Sequence, residues 1–150
     1  MLPLLRDKRF KQGIYRPQNQ DKFIGKEAIF RSGLELSFFR FCDNNPNVIR
    51  WGSENVVINY FDPCTNKNRK YHIDNYVEIK EGDIVKKYLV EIKPFKQTQE
   101  PKVTKRRKKA HLLYEQSQWM TNSQGKWPAA REFAKKHEME FIIITERELQ

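Results

Sequence analysis

Residues 69 to 93, RKYHIDNYVEIKEGDIVKKYLVEIK, decide the fold. In the first half, Tyr71, Ile73, Val77 and Ile79 fall on one face of an extended chain, and His72, Asp74, Tyr76 and Glu78 on the other. Glu81, Gly82 and Asp83 supply a short turn, after which the alternation resumes through IVKKYLVEIKPF. There Leu89, Glu91 and Lys93 share one face, while Tyr88, Val90 and Ile92 share the other. Pro94 ends the strand, because proline cannot donate to a central ladder. If the two strands pair antiparallel across the turn, Asp74 comes near Glu91.

Working outward, Val56, Ile58 and Tyr60 mark one face of an earlier strand, and DPCTNKN (residues 62 to 68) a loop. Upstream, Phe30, Leu34, Phe38 and Phe41 recur at three and four residues, which predicts a helix from Ala28 to Cys42, with Gly33 weakening its propensity. Residues 43 to 48, DNNPNV, form a turn cluster. Residues 1 to 27 read as a basic arm, extended or turn-like through RPQNQDKFIG, and residues 28 to 150 as the domain proper. Downstream, a second basic run carries Lys96, Lys102, Lys105, Arg106, Arg107, Lys108 and Lys109 against Glu100. A helix beginning within or just after it is expected to turn Ala110, Leu112, Leu113, Trp119 and Met120 inward, and NSQGKW (122 to 127) to break it. Trp127 to His137 is a further helix, with Pro128 acceptable in its first turn, and EFIIITE (140 to 146) a short buried strand. The sum is an α/β domain.

Composition bounds the function. The chain has 150 residues and 18.1 kDa, one domain's length. Its 29 Lys and Arg against 19 Asp and Glu give a net charge of +10, which favours a polyanion such as nucleic acid. Two cysteines, Cys42 and Cys64, are too few for a disulfide framework. The start MLPLLRDKRFKQ does not read as a signal peptide, and the apolar run Phe141 to Ile144 is far below a membrane span. These features point to an intracellular protein, or one held on the cytoplasmic side until assembly, with no membrane partner. Neither a phosphate-cradling loop nor a dinucleotide fingerprint is present, so no nucleotide cofactor is expected. Cys42, Cys64, His72 and His111 lack zinc-site spacing, and His137 carries no functional signal.

The chemistry-bearing residues are Glu35, Asp74, Glu91 and Lys93. Alternation puts the Glu91 carboxylate and the Lys93 ammonium side by side. Two nearby carboxylates repel unless they share a proton or a cation, and oxygen ligands of this kind suit Mg²⁺ or Mn²⁺. The spacing alone leaves open a solvated, ion-paired sheet face. Glu35 lies among Leu34, Leu36, Phe38 and Phe39, where a carboxylate is costly to bury; it either has a partner or lines a solvent-facing helix edge. Glu54, beside Trp51 and Ser53, reads as a turn or sheet-edge residue, or as the periphery of such a site. Trp51, Trp119 and Trp127 read as core or partial-core residues.

An ordered set of motifs runs through the chain: YRPQN followed by KFIG (15 to 25), RSGLE (31 to 35), WGSENVVINY (51 to 60), KNRKYHID (67 to 74) and LVEIKP (89 to 94). In this order they resemble the TnsA-type branch of the PD-(D/E)xK endonuclease superfamily, and within it are similar to nucleases that complete the heads of T4-like bacteriophages. The resemblance implies a restriction-endonuclease-like core, a central mixed sheet flanked by helices. It makes Asp74 the first metal-binding acid, Glu91 the second, Lys93 the motif lysine and Glu35 the helix-borne acid that touches the metal or its water. His72 and Ile73 stand where related enzymes often carry proline before the aspartate. The implied activity is Mg²⁺-dependent (or Mn²⁺-dependent) endonucleolytic hydrolysis of double-stranded DNA with little sequence preference. Tyr15, Arg16 and Lys22 either help the arm touch the DNA backbone or solvate and pin the arm, and Lys102, Lys105, Arg106, Arg107, Lys108 and Lys109 would contact backbone phosphates if they line a groove. The implied setting is the host cytoplasm during assembly and then the virion head–neck region, with phage head or neck proteins as partners. Two alternatives stand beside it: a structural DNA-binding head or neck protein with an inactive nuclease fold, and a TnsA-like subunit of a transposition complex.

Overall fold

A computed structural model describes residues 12 to 149. Its strands are β1 (Gly13–Tyr15), β2 (Phe23–Ile24), β3 (Ala28–Phe30), β4 (Val48–Asp62), β5 (Lys67–Glu81), β6 (Ile84–Ile92) and β7 (Glu140–Ile144). The α-helices are α1 (Gly33–Asn44), α2 (Lys109–Met120) and α3 (Trp127–Lys136). Five strands form one mixed sheet in the order β2-β4-β5-β6-β7, antiparallel through the central β4-β5-β6 meander and parallel at both outer pairs. The antiparallel hairpin expected from residues 69 to 93 is present, its turn made by Gly82 at a φ of 64°, a left-handed value that glycine adopts freely.

Helices cover both faces. On one, Phe38, Phe39 and Cys42 of α1 pack with Trp51, Val77, Val90 and Ile92. On the other, Ala130 and Ala134 of α3 let that helix lie close over Ile58, Tyr60, Tyr71, Ile73, Tyr76 and Leu89. Each large apolar side chain removed from water in these layers contributes about 1.5–3 kcal/mol before conformational entropy is charged against it.

Several local expectations are corrected. The stretch from Ala28 is not helical throughout: residues 28 to 30 pair antiparallel with β1, and the helix starts only after Ser32, whose hydroxyl accepts from the Glu35 amide at 3.1 Å. The later start rotates the buried stripe onto Phe38, Phe39 and Cys42 and leaves Phe41 exposed. The strand read around Val56 begins at Val48. In β5, Tyr71 and Ile73 pack on the α3 side but Val77 on the α1 side, so the expected single face is interrupted between them. Opposite that interruption β4 bulges: Ser53 to Val56 spans three steps against two from Asn75 to Ile73.

No residue of α2 is buried, and Leu113 and Met120 are exposed rather than turned inward. Residues 122 to 127 do not break the helix. Thr121–Lys126 is a π-helical turn that runs from α2 into α3, and Gly125 allows it to sit against β4, since a Cβ there would lie 2.9 Å from the Phe61 carbonyl oxygen. The last strand, β7, is an edge strand with half-buried isoleucines, since only β6 pairs with it. From residue 12 onward the stretch read as an arm is part of the fold: β2 pairs with β4, and the Phe23 ring packs tilted against Trp51, their centroids 4.6 Å apart.

Candidate active site

Asn75 of β5 pairs with Val90 of β6, so Asp74 and Glu91, each one residue beyond that pair, project side by side from adjacent strands. Glu91 is 3% exposed. One oxygen of Asp74 accepts the Ile92 backbone N–H at 2.7 Å, which orients the carboxyl beside that of Glu91. Burial, and then the neighbouring Glu91 carboxylate, push the Asp74 pKa well above the usual range. Lys93 follows at the end of β6, its ammonium 3.8 Å from a Glu91 oxygen and its side chain a quarter exposed. The strands thus bring together the three residues that sequence spacing singled out.

Glu35 stands in the first turn of α1. Its amide donates to Ser32, and the Ser32 hydroxyl donates back to a Glu35 oxygen at 3.2 Å. Ser32 thus caps the helix and Glu35 accepts the cap's hydroxyl, in a Ser-x-x-Glu spacing visible in SGLE. The capping role does not exhaust the carboxylate. Burial raises its pKa, against the lowering influence of Arg31 and Ser32, and its charge in turn helps raise that of Asp74. Glu35 therefore belongs to the same electrostatic neighbourhood as the strand-borne acids.

Two further groups border this neighbourhood. The Tyr71 hydroxyl is buried and lacks a well-formed hydrogen bond. Burial and then Glu91 hold its phenol protonated. Glu54 sits in the β4 bulge at a φ of 53° and accepts from Arg31 at 2.6 Å. Left-handed backbone at a non-glycine residue costs about 1–3 kcal/mol, and here it turns the Glu54 carboxylate toward Arg31, whose guanidinium also feels Glu35 and Asp74. Tyr71 is the tyrosine of the Y-H-I-D motif; its relation to Glu91 depends on strand pairing and has no local sequence signal.

The two basic segments fare differently. The Tyr15 hydroxyl donates to Asp43 at 2.5 Å, and the Lys22 ammonium donates to the backbone carbonyls of Asn45 and Val48. Arg16 is exposed and pairs with Glu27. Tyr15 and Lys22 thus brace the segment against the end of α1 and the start of β4, and the structure does not bring either to the carboxylates as a free group. In contrast, Lys102, Lys105, Arg106, Lys108 and Lys109 are exposed. Arg107 is half-buried, bonded to Glu115 of α2 and to the Lys102 carbonyl. Lys102, Arg107 and Lys93 line one cavity, so this basic segment adjoins the carboxylate site.

The donor set fits a hard divalent cation. Paired, mutually repelling carboxylates on rigid strands supply oxygen ligands, and Mg²⁺ commonly takes only one or two protein carboxylates, completing its shell with water and phosphate oxygens. Among the described residues no cluster of three or more His, Cys, Asp and Glu side chains is assembled, so a cation here would rely on such additional oxygens.

Residues 45 to 146 match the pattern of the TnsA-like endonuclease N-terminal domain. The chain is also 37% identical over 144 residues to the head completion nuclease of Enterobacteria phage T4, an alignment covering 89% of this chain and 90% of that protein. The matched span contains β4, β5 and β6, and with them Asp74, Glu91 and Lys93.

Proposed function

Because the chain belongs to the TnsA-like endonuclease family, we propose that it is a nuclease that hydrolyses phosphodiester bonds in double-stranded DNA with little sequence preference, acting in phage head completion. The observation that carries this reading is the buried Glu91 carboxylate beside the half-buried Asp74, with the Lys93 ammonium 3.8 Å from Glu91. Asp74, Glu91 and, directly or through water, Glu35 would hold Mg²⁺, with Mn²⁺ a substitute. When bound, the metal lowers the pKa of a water and neutralises charge on the phosphate. The Ile92 amide fixes one Asp74 oxygen, so the second is presented in a set direction. Lys93, tethered by Glu91 but partly exposed, places positive charge where a phosphate enters. The protonated Tyr71 phenol is positioned to orient the Glu91 carboxylate.

In this reading Lys102, Lys105, Arg106, Lys108 and Lys109 grip the DNA backbone without reading bases. Residues 1 to 27 form a basic N-terminal segment that from residue 12 onward packs into the domain, and exposed Arg16 is its described candidate for DNA contact. The proposed site of action is the assembling head in the host cytoplasm and later the virion head–neck region, beside head or neck proteins.

The test is digestion of circular and linear duplex DNA with Mg²⁺, with Mn²⁺ and with EDTA. Cleavage should require metal, extend to circles, and fall on the order of a thousandfold in folded Asp74→Ala and Glu91→Ala proteins. DNA binding without metal-dependent cleavage would favour a structural module. Cleavage that appears only with a recombinase partner would favour a transposition subunit.

A further inference from the structure

A cavity of about 660 Å³ opens beside Lys93, between residues 95 to 102 and α2. Its volume lies within the roughly 300–1,000 Å³ of small-molecule sites, and it is far too narrow for stacked duplex. Three features mark it as a nucleobase site. Tyr114, 64% exposed, and Trp119 contribute aromatic surface. Gln118 and Asn122 bring amides, which offer donor and acceptor together, as the edge of a base requires. Asn122 is 5% exposed and lines the cavity. That residue belongs to the π-helical turn, a local departure from α-helix that recurs at functional sites.

The electrostatics agree. The one acid on the α2 wall, Glu115, is already engaged by Arg107 and lies 3.5 Å from His111, so it does not repel an incoming nucleotide. Arg107 also donates to the Lys102 carbonyl at 2.9 Å, which ties the loop wall to the helix wall. Lys93 belongs both to the carboxylate site and to the cavity, so the two adjoin.

We propose that this cavity receives the base of an unstacked nucleotide adjoining the scissile phosphate, so that the enzyme prefers DNA whose strand has already left the helix. The inference rests on the nuclease reading above. Taking a base out of the stack costs a few kcal/mol in duplex and little in a single-stranded extension, while stacking on an aromatic side chain returns about 1–3 kcal/mol.

The experiment measures binding of full-length, folded Asp74→Ala protein by fluorescence anisotropy, so that cleavage does not intervene. The probes are a blunt duplex, duplexes with 3′ or 5′ single-stranded extensions, and the same extensions abasic at the nucleotide next to the junction. At least one extended duplex should bind about tenfold more tightly than the blunt one, in line with the stacking contribution. The preference should vanish on the abasic probe and in the added Tyr114→Ala and Gln118→Ala variants, with thermal melting confirming their fold. Equal binding of blunt and extended DNA, or a preference that survives the abasic probe or the paired substitutions, overturns the inference. Wild-type digestion of the same duplexes with Mg²⁺ separates the two readings: cleavage without base-dependent preference sinks the cavity assignment alone, and no cleavage sinks the nuclease reading beneath it.

Discussion

Two segments that offer candidate DNA contacts, residues 12 to 27 and residues 102 to 109, do opposite things with their polar groups. In the first, polar groups are spent inside the molecule: Asp43 at the end of α1, 1% exposed, accepts from the Tyr15 hydroxyl and from the amides of Gln18 and Asn19. Lys22 ties the same stretch to the carbonyls of Asn45 and Val48. In the second, only Arg107 is engaged, and the remaining charges face solvent beside the cavity at Lys93. The contrast teaches that positive charge is available to an external polyanion only where no internal acceptor claims it.

The contrast can be broken from either side. The larger effect is expected at Asp43. Asp43→Ala leaves a phenol and two amides without their acceptor, a loss of about 3 kcal/mol or more, read as a lowered denaturation midpoint. The DNA affinity of the protein that remains folded should hardly change; a large fall in affinity would make the first segment a binding surface after all. Acidity sharpens the point. Burial alone would raise the Asp43 pKa, but the bonds from Tyr15, Gln18 and Asn19 outweigh it and hold the value below the ordinary range. A lowered folded-state pKa means that this stabilisation is complete above the unfolded value of about 3.9 and is lost as pH falls through the folded value. The stability gap between wild type and Asp43→Ala should therefore close under acid and stay open at neutral pH.

The second segment should respond in the complementary way. Replacing Lys105, Arg106, Lys108 and Lys109 together by glutamine is expected to weaken duplex binding on the order of a hundredfold and to flatten the salt dependence by about 0.9 per lost phosphate contact. The melting temperature should move little, because these side chains are exposed. An unchanged salt slope would remove this segment from the DNA interface.

What was legible in the sequence follows the range of the forces involved. Alternation and one tight turn suffice to pair β5 with β6, so Asp74, Glu91 and Lys93 could be assembled on paper. The Asp43 latch could not, because its partners lie 24 to 28 residues away and a lone aspartate late in a helix has no local signature. The β4 bulge at Glu54 and the π-helical turn were hidden for a related reason: each is imposed by a neighbour across the fold, the β5 register in one case and the Phe61 carbonyl in the other. Leu112, Leu113 and Trp119 read as core because they are apolar, yet α2 borders a cavity rather than the sheet.

The β4-β5-β6 meander also has a consequence in time. Its strands are joined by turns of a few residues, whereas β2 must find β4, and β7 must find β6, across much longer stretches of chain. Closing a short loop forfeits less chain entropy than closing a long one, and contacts of low sequence separation form sooner. On that basis the hairpin bearing Asp74, Glu91 and Lys93 is expected to be built before Asp43 captures Tyr15. Pulse-labelling hydrogen exchange during refolding would then find the amides of Leu89 and Val90 protected ahead of those of Gln18 and Asn19; the reverse order would mean that the latch nucleates the fold.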